Sequence, residues 1–292
     1  MRYMDFNLYS PSGIAKVLDE YGVAPNKRFG QNFLINEKIL EQIVDKAGVG
    51  QYDYVLEIGP GLGALTRKLA EKGGTVLALE IDRGFIEVLK GTLEGMENVT
   101  VLQGDILKTD LMALSREYAG GNPFKVVANL PYYITTPVLM QLLSSKGAVK
   151  EITAMIQYEV AERILSEPGK KSYGALTLAA RYRGSPKLLI EVSPSAFYPR
   201  PKVSSAVLQI KPWDSPQFEV QDEEFLFKLI RASFKQRRKT LANALSHDPE
   251  VKLSRTRVFE ALSSMGKPQM VRGEALSLQE FAELANCLCP CK

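Results

Sequence analysis

The sequence predicts an α/β fold, a mostly parallel and doubly wound sheet followed by a small all-helical domain. Three observations carry this expectation. From about residue 54 to 156, short apolar runs alternate with helical segments, the pattern of repeated strand–helix–strand units. Two more strand-like runs, 187–192 and 203–211, lie close together around a proline-rich stretch. After Lys211-Pro212-Trp213-Asp214-Ser215-Pro216 only helical patterns remain. A chain of 292 residues suits about two domains at roughly 150 residues each. The expected divisions are a helical lead-in over 1–28, the sheet domain over 29–213 and the helical domain over 214–292.

Each element has a local reason. Ser10 or Ser12 is placed to cap a first helix, and Asn36 a second over Ile35-Asn36-Glu37 onward. Between them Arg28-Phe29-Gly30-Gln31-Asn32-Phe33-Leu34 is too polar for core helix. Val55-Leu56-Glu57-Ile58 reads as a strand ending in glycines, followed by a helix over 64–72. A strand over 75–80, a helix over 85–93 and strands over 99–103, 125–128 and 152–156 continue the series. The runs 187–192 and 203–211 are expected to form an antiparallel pair at the sheet edge. Helices are expected over 223–234, 238–245, 255–263 and 278–287.

Composition narrows the function. With 45% hydrophobic and 24% charged residues, the chain is neither a disordered tail, a collagen nor a disulfide mini-protein. No apolar run approaches the ~18 residues of a membrane helix, and the start lacks signal-peptide and presequence patterns. A cytoplasmic protein without a membrane partner is the expectation. All three cysteines, Cys287, Cys289 and Cys291, fall in the last six residues, which is no disulfide framework. A single histidine, His247, excludes histidine-rich metal sites, and no metal is expected. The net charge of +4 says little by itself. Yet between Arg231 and Arg257 eight Lys/Arg face two Asp/Glu, so the rest of the chain is slightly acidic. Such a block suits a phosphate backbone, with a solvated helical face as the alternative.

Glu57-Ile58-Gly59-Pro60-Gly61-Leu62-Gly63 follows a strand and opens a helix. Glycines there let backbone pass close to a ligand at a helix N-terminus. The spacing departs from the dinucleotide G-x-G-x-x-G, and a Walker Gly-Lys-Ser/Thr is absent. Glu80 ends the second strand, where a carboxylate can accept both hydroxyls of a ribose. Asp105 ends the next strand and can accept from an adenine amino group. The alternative for each acid alone is a surface acid at a strand end. Together with the glycine turn they fit S-adenosylmethionine, a nucleoside with a cationic amino-acid end and no phosphate.

The most specific feature is Asn129-Leu130-Pro131-Tyr132 after the strand over 125–128. An amide oxygen and a backbone carbonyl can both accept from an exocyclic NH₂, while an aromatic ring stacks on the base. Those acceptors favour a more tetrahedral nitrogen and stabilise positive charge as it attacks. A β-turn with proline at its second position explains the Asn and Pro but not the Tyr.

On these motifs the chain resembles the KsgA/RsmA family of ribosomal RNA adenine dimethyltransferases, from about Phe29 to the C-terminal helices. The family's entry motif matches Phe29 to Leu34, and its cofactor motif matches Glu57 to Gly63, Glu80-Ile81-Asp82 and Gly104-Asp105. A late motif matches Pro194-Ser195-Ala196-Phe197-Tyr198-Pro199-Arg200-Pro201-Lys202-Val203-Ser204-Ser205. The resemblance implies a Rossmann-like class I methyltransferase domain. It implies that Asn32, Leu34, Gly59, Glu80, Asp105 and Asn129 contact S-adenosyl-L-methionine. Gln31, Glu57, Gly61, Gly63, Ile81 and Ile106 complete the candidate cofactor set. It also implies that Tyr132 and Phe197 sandwich the target adenine beside Asn129, Leu130 and Pro131. Ser233-Phe234-Lys235-Gln236-Arg237-Arg238-Lys239-Thr240-Leu241 is similar to the dimethyltransferase signature and lies in the basic block. Lys235, Arg237, Arg238 and Lys239, with Arg200 and Lys202, are the candidate RNA contacts; three of them, 235, 238 and 239, are expected on one helical face. The implied substrate is a pair of adjacent adenosines in the hairpin loop near the 3′ end of 16S rRNA, in the immature small subunit, each dimethylated by a monomer. An assembly factor in which methylation is secondary and a 23S rRNA methylase are the alternatives.

Overall fold

The computed structural model describes residues 6–25 and 31–289, so Phe29 and Gly30 of the entry motif and Cys291 lie outside the described residues. The chain forms two compact units, one of 1–161 with 185–212, the other of 162–184 with 213–292.

The first unit begins with α1 (Pro11–Glu20), capped by Ser10, whose hydroxyl accepts from Gly13 N at 3.1 Å. Strand β1 (Phe33–Leu34) and α2 (Glu37–Ala47) follow. Asn36 caps α2 through Ile39 N, and Gly48 ends it in the left-handed conformation. Then come β2 (Tyr54–Ile58), α3 (Ala64–Glu71), β3 (Thr75–Glu80), α4 (Arg83–Thr92) and β4 (Val99–Gln103). The series continues with α5 (Leu111–Tyr118), β5 (Phe124–Asn129), α6 (Thr135–Ser144), β6 (Val149–Gln157) and the start of α7 (Tyr158–Leu165). Later strands are β7 (Gly184–Val192), β8 (Phe197–Tyr198) and β9 (Ser205–Pro212).

Seven strands make one sheet in the order β4-β3-β2-β5-β6-β9-β7, and β1 pairs antiparallel with β8 in a small separate ribbon. The pairs β4/β3, β3/β2, β2/β5 and β5/β6 are parallel, while β9 runs antiparallel to β6. The two late runs are therefore sheet neighbours, as expected, with β9 inserted between β6 and the edge strand β7. The stretches Val76 to Leu79 and Val126 to Ala128 are almost fully buried, as suits strands covered on both faces. Strand order turns back on itself between β2 and β5. That switch point, at the carboxyl ends of the strands, is where open α/β sheets bind ligands.

The second unit comprises the rest of α7, α8 (Ala175–Arg183), α9 (Glu223–Lys235), α10 (Leu241–Ser246), α11 (Arg255–Ser264) and α12 (Leu278–Leu288). Leu226, Leu229, Leu241, Leu245, Leu262 and Phe281 form its core with Tyr173, Leu178 and Tyr182. The Tyr173 hydroxyl donates to Leu276 O at 2.8 Å, satisfying a polar atom in that core. Residues 162–184 thus belong with the helices and not with the sheet, against the expected division at 213, because their apolar side chains are buried in the helical core. Residues 6–25 belong with the sheet unit. A second correction concerns the basic block. Helix α9 stops at Lys235, and Arg237, Arg238 and Lys239 lie in a turn before α10, whose N-terminal boundary residue is Thr240. Residues 235, 238 and 239 therefore share no helical face. No helix among the described residues is long and apolar enough to cross a membrane.

Candidate active site

A crevice opens at the switch point, lined by the carboxyl ends of β2, β3, β4 and β5 and by residues 31–34. The turn after β2 supplies its floor. Gly59 and Gly61 have φ of 69° and 59°, in the left-handed region that side chains rarely adopt. A Cβ on Gly61 would come within 3.2 Å of the Phe33 ring, so glycine also answers a close approach. Gly63 differs from the expectation. It does not line the crevice; a Cβ there would meet Leu93 at 3.0 Å and Thr92 at 3.2 Å, so Gly63 lets α3 start against α4.

Glu80 is 4% exposed at the end of β3. One carboxylate oxygen accepts from Asp82 N at 2.9 Å and the other from Gly61 N at 3.3 Å. Burial raises its pKa, and the backbone N–H groups of Asp82, Gly61 and Ile81 oppose the rise. A carboxylate has about four acceptor positions, more than these backbone donors fill. Glu57 is deeper still, and burial lifts its pKa to about 8; the Thr66 hydroxyl opposes the rise and the charge of Glu80 adds to it. Asp105 accepts from Leu107 N at 3.0 Å and so caps the turn Ile106–Lys108. Ile106 is buried and Ile81 42% exposed; both line the crevice as apolar wall. Gln31, Asn32 and Leu34 line it too. The glycine turn, the buried acid with spare acceptors and the apolar walls fit an adenosine carrying a cationic amino-acid end.

Asn129 ends β5, with its amide nitrogen donating to Asn32 O at 3.2 Å, which leaves Oδ1 without a hydrogen bond among the described residues. The Pro131 carbonyl accepts from Ile134 N and from the Thr135 hydroxyl, both at 3.2 Å. The Leu130 carbonyl takes no such hydrogen bond among the described residues. Tyr132 shares a hydrogen bond of 2.6 Å with Ser205, and burial raises its pKa. Asn129, Leu130, Pro131 and Tyr132 all line the crevice. Phe197 does not. It is 4% exposed, paired with Leu34 in the β1–β8 ribbon and packed into the core with Leu40 and Ile43. Its place in a strand turns it inward, so it offers no face to a base here. Sequence reasoning missed Leu8 and Ile14, which line the crevice from the start of the chain, and Tyr133, which is 53% exposed at its edge. Ile14 lies in the capped amphipathic helix α1, where an apolar residue signals burial but not what it is buried against.

Among the candidate RNA contacts, Lys235 pairs with Asp248 at 2.8 Å and Arg237 with Glu274 at 3.0 Å. Arg238 and Lys239 are exposed and form no ion pair among the described residues; the same holds for Arg200 and Lys202 in the other unit.

The fold and this crevice define a class I S-adenosylmethionine-dependent methyltransferase. Comparison with known proteins narrows it. Residues 23–268 match the model of the family described as ribosomal RNA adenine dimethylase, and the chain belongs to that family. It is 46% identical over 282 residues to ribosomal RNA small subunit methyltransferase A of Lachnoclostridium phytofermentans, covering 96% of this chain and 97% of that one. It is 45% identical over 283 residues to the protein of the same name from Shouchella clausii, covering 97% and 96%. Among solved structures, a dimethyladenosine transferase from Plasmodium falciparum superposes with a TM-score of 0.70 at 28% identity, over 85% of this chain and 94% of that one. The 23S rRNA methyltransferase ErmE superposes with a TM-score of 0.66 at 26% identity, over 88% and 99%.

Proposed function

We propose that the protein dimethylates N6 of two adjacent adenosines in the hairpin loop near the 3′ end of 16S rRNA, acting as a cytoplasmic monomer on the immature small ribosomal subunit. The observation that carries the chemistry is the corner at Asn129, where Oδ1 and the Leu130 carbonyl take no other hydrogen bond among the described residues, beside the Tyr132 ring. The relatives that cover nearly the whole chain at about 45% identity bear small-subunit names, which favours 16S over 23S RNA.

When bound, S-adenosylmethionine supplies a methyl group on a sulfonium, an excellent leaving group. Glu80 and Asp105 hold the ribose and the adenine of the cofactor, and the Gly59–Gly61 turn lets backbone approach it. Tyr132 stacks on the target base, and Phe197, as placed, does not supply the opposite face. Asn129 Oδ1 and the Leu130 carbonyl accept from the two N6 hydrogens, which favours a tetrahedral nitrogen and stabilises charge developing on it. The proton lost from N6 needs no general base, because the alkylated ammonium is strongly acidic. Positioning of this kind is worth roughly 7–11 kcal/mol of barrier. Arg238, Lys239, Arg200 and Lys202 meet phosphates and set the register of the RNA without reading its bases.

The decisive experiment incubates the protein with labelled S-adenosylmethionine and immature small subunits and maps the modified bases. Four methyl groups on two neighbouring adenosines near the 3′ end are expected. Label in 23S RNA, or none in 16S RNA, overturns the proposal. Binding of subunits without any methyl transfer would favour the assembly-factor alternative.

A further inference from the structure

Ser205 is the last residue of the late motif, and neither the cofactor crevice nor the proposed chemistry uses it directly. We infer that Ser205 is a positioning residue that holds the ring of Tyr132 in place for stacking on the target adenine. The inference rests on the stacking role proposed for Tyr132.

Ser205 opens β9 and sits opposite Gln157 at the carboxyl end of β6. Its backbone is held there, since the preceding carbonyl of Ser204 accepts from Tyr158 N at 3.0 Å. Its side chain is fully buried, at 0% exposure. A buried hydroxyl needs a partner to offset its lost hydration. The partner here is the Tyr132 hydroxyl at 2.6 Å, 73 residues away in sequence, and neither hydroxyl has another among the described residues. Alanine would fill a buried strand position without any polar cost. The serine therefore makes sense in relation to Tyr132.

Tyr132 sits in a short turn whose backbone is already set by Ile134 N on Pro131 O. What that turn leaves free is the ring, with two side-chain torsions. A hydrogen bond at the far end of the ring, para to Cβ, restrains both at once. Stacking needs only the π-face, which phenylalanine also has, so the phenol group is explained by the tether and not by the methyl transfer. A ring ordered before the base arrives leaves less freedom to lose on binding, which favours the stacked complex.

The test compares Ser205→Ala, Tyr132→Phe and the double variant with Tyr132→Ala, in the full chain, using small-subunit RNA and S-adenosylmethionine. Each conservative variant should lower kcat by about 3–10-fold, the worth of one neutral hydrogen bond. The KM for S-adenosylmethionine should stay unchanged, because the cofactor walls are untouched. The double variant should be no slower than the slower single one, since both substitutions cut the same bond. Additive losses, unchanged kcat in Ser205→Ala, or a matching loss of cofactor affinity would overturn the tether. Wild-type turnover in Tyr132→Ala would instead overturn the stacking role itself, so the two failures are distinguishable.

Discussion

Replacing Glu80 by glutamine keeps the side-chain shape and changes its acceptor count. In the protein the carboxylate accepts from Gly61 N and Asp82 N with one oxygen each, and its remaining positions are those proposed to serve two ribose hydroxyls. A glutamine has one oxygen and one NH₂ group. Whichever way the amide turns, its NH₂ faces one of the two backbone N–H groups, and one ribose hydroxyl loses its acceptor. The loss is one charge-assisted hydrogen bond, about 1.5–3 kcal/mol, so S-adenosylmethionine should bind roughly 10–150-fold more weakly. Titration calorimetry with S-adenosylmethionine and its demethylated product measures this. The control is a cofactor analogue lacking both ribose hydroxyls, which should bind Glu80→Gln and the unsubstituted protein with nearly equal affinity. If the full penalty persists with the analogue, the loss comes from rearrangement of the Gly61 turn and the ribose contact is refuted.

Asn129→Ala and Tyr132→Ala should lose most methyl transfer while RNA affinity, measured by filter binding, remains near that of the unsubstituted protein. Arg238→Ala with Lys239→Ala should weaken binding of the ribosomal substrate and lower the slope of log K against log salt by about one for each phosphate no longer neutralised; cofactor affinity should not move, and an unchanged slope would assign these cations to solvation alone. Glu57 has a folded pKa raised from 4.5 to about 8, so its contribution to stability is present at acid pH and is lost as pH rises through that window. Thermal melts should therefore show Glu57→Gln gaining on the unsubstituted protein between about pH 5 and pH 8, by up to about 1.4 kcal/mol per pH unit; parallel melting curves for the two would show that this carboxyl does not titrate in the window.

Much of the sheet was legible because its strands are local and bounded by strong signals. The runs 75–80 and 99–103 match β3 and β4 residue for residue, since apolar stretches end at Glu80 and before Gly104. A crevice at the strand ends followed too, because topology places those ends together without any knowledge of side-chain packing. The failures have a different origin. Residues 162–184 fall in sequence within the expected sheet domain, and only the burial of Tyr173, Leu178 and Tyr182 among distant helices assigns them elsewhere. The partners of Lys235 and Arg237, Asp248 and Glu274, lie 13 and 37 residues away, so a charge count could not tell paired cations from free ones. Gly63 and Phe197 carry the right residue types for the site, yet a neighbouring helix claims the first and the core claims the second.

The helical unit is assembled from two separate stretches of chain, 162–184 and 213–292, with β7, β8 and β9 lying between them in sequence. It is therefore not a cassette that can be cut off at one peptide bond. A fragment ending near 213 would keep α8 with its apolar face stripped of Leu226, Leu229 and Phe281, and a fragment starting there would lack Tyr173, Leu178 and Tyr182. Exchanging the helical unit between relatives of this chain requires moving both stretches at once. A library built on tail swaps alone would return poorly folded proteins, and their inactivity would say nothing about RNA specificity.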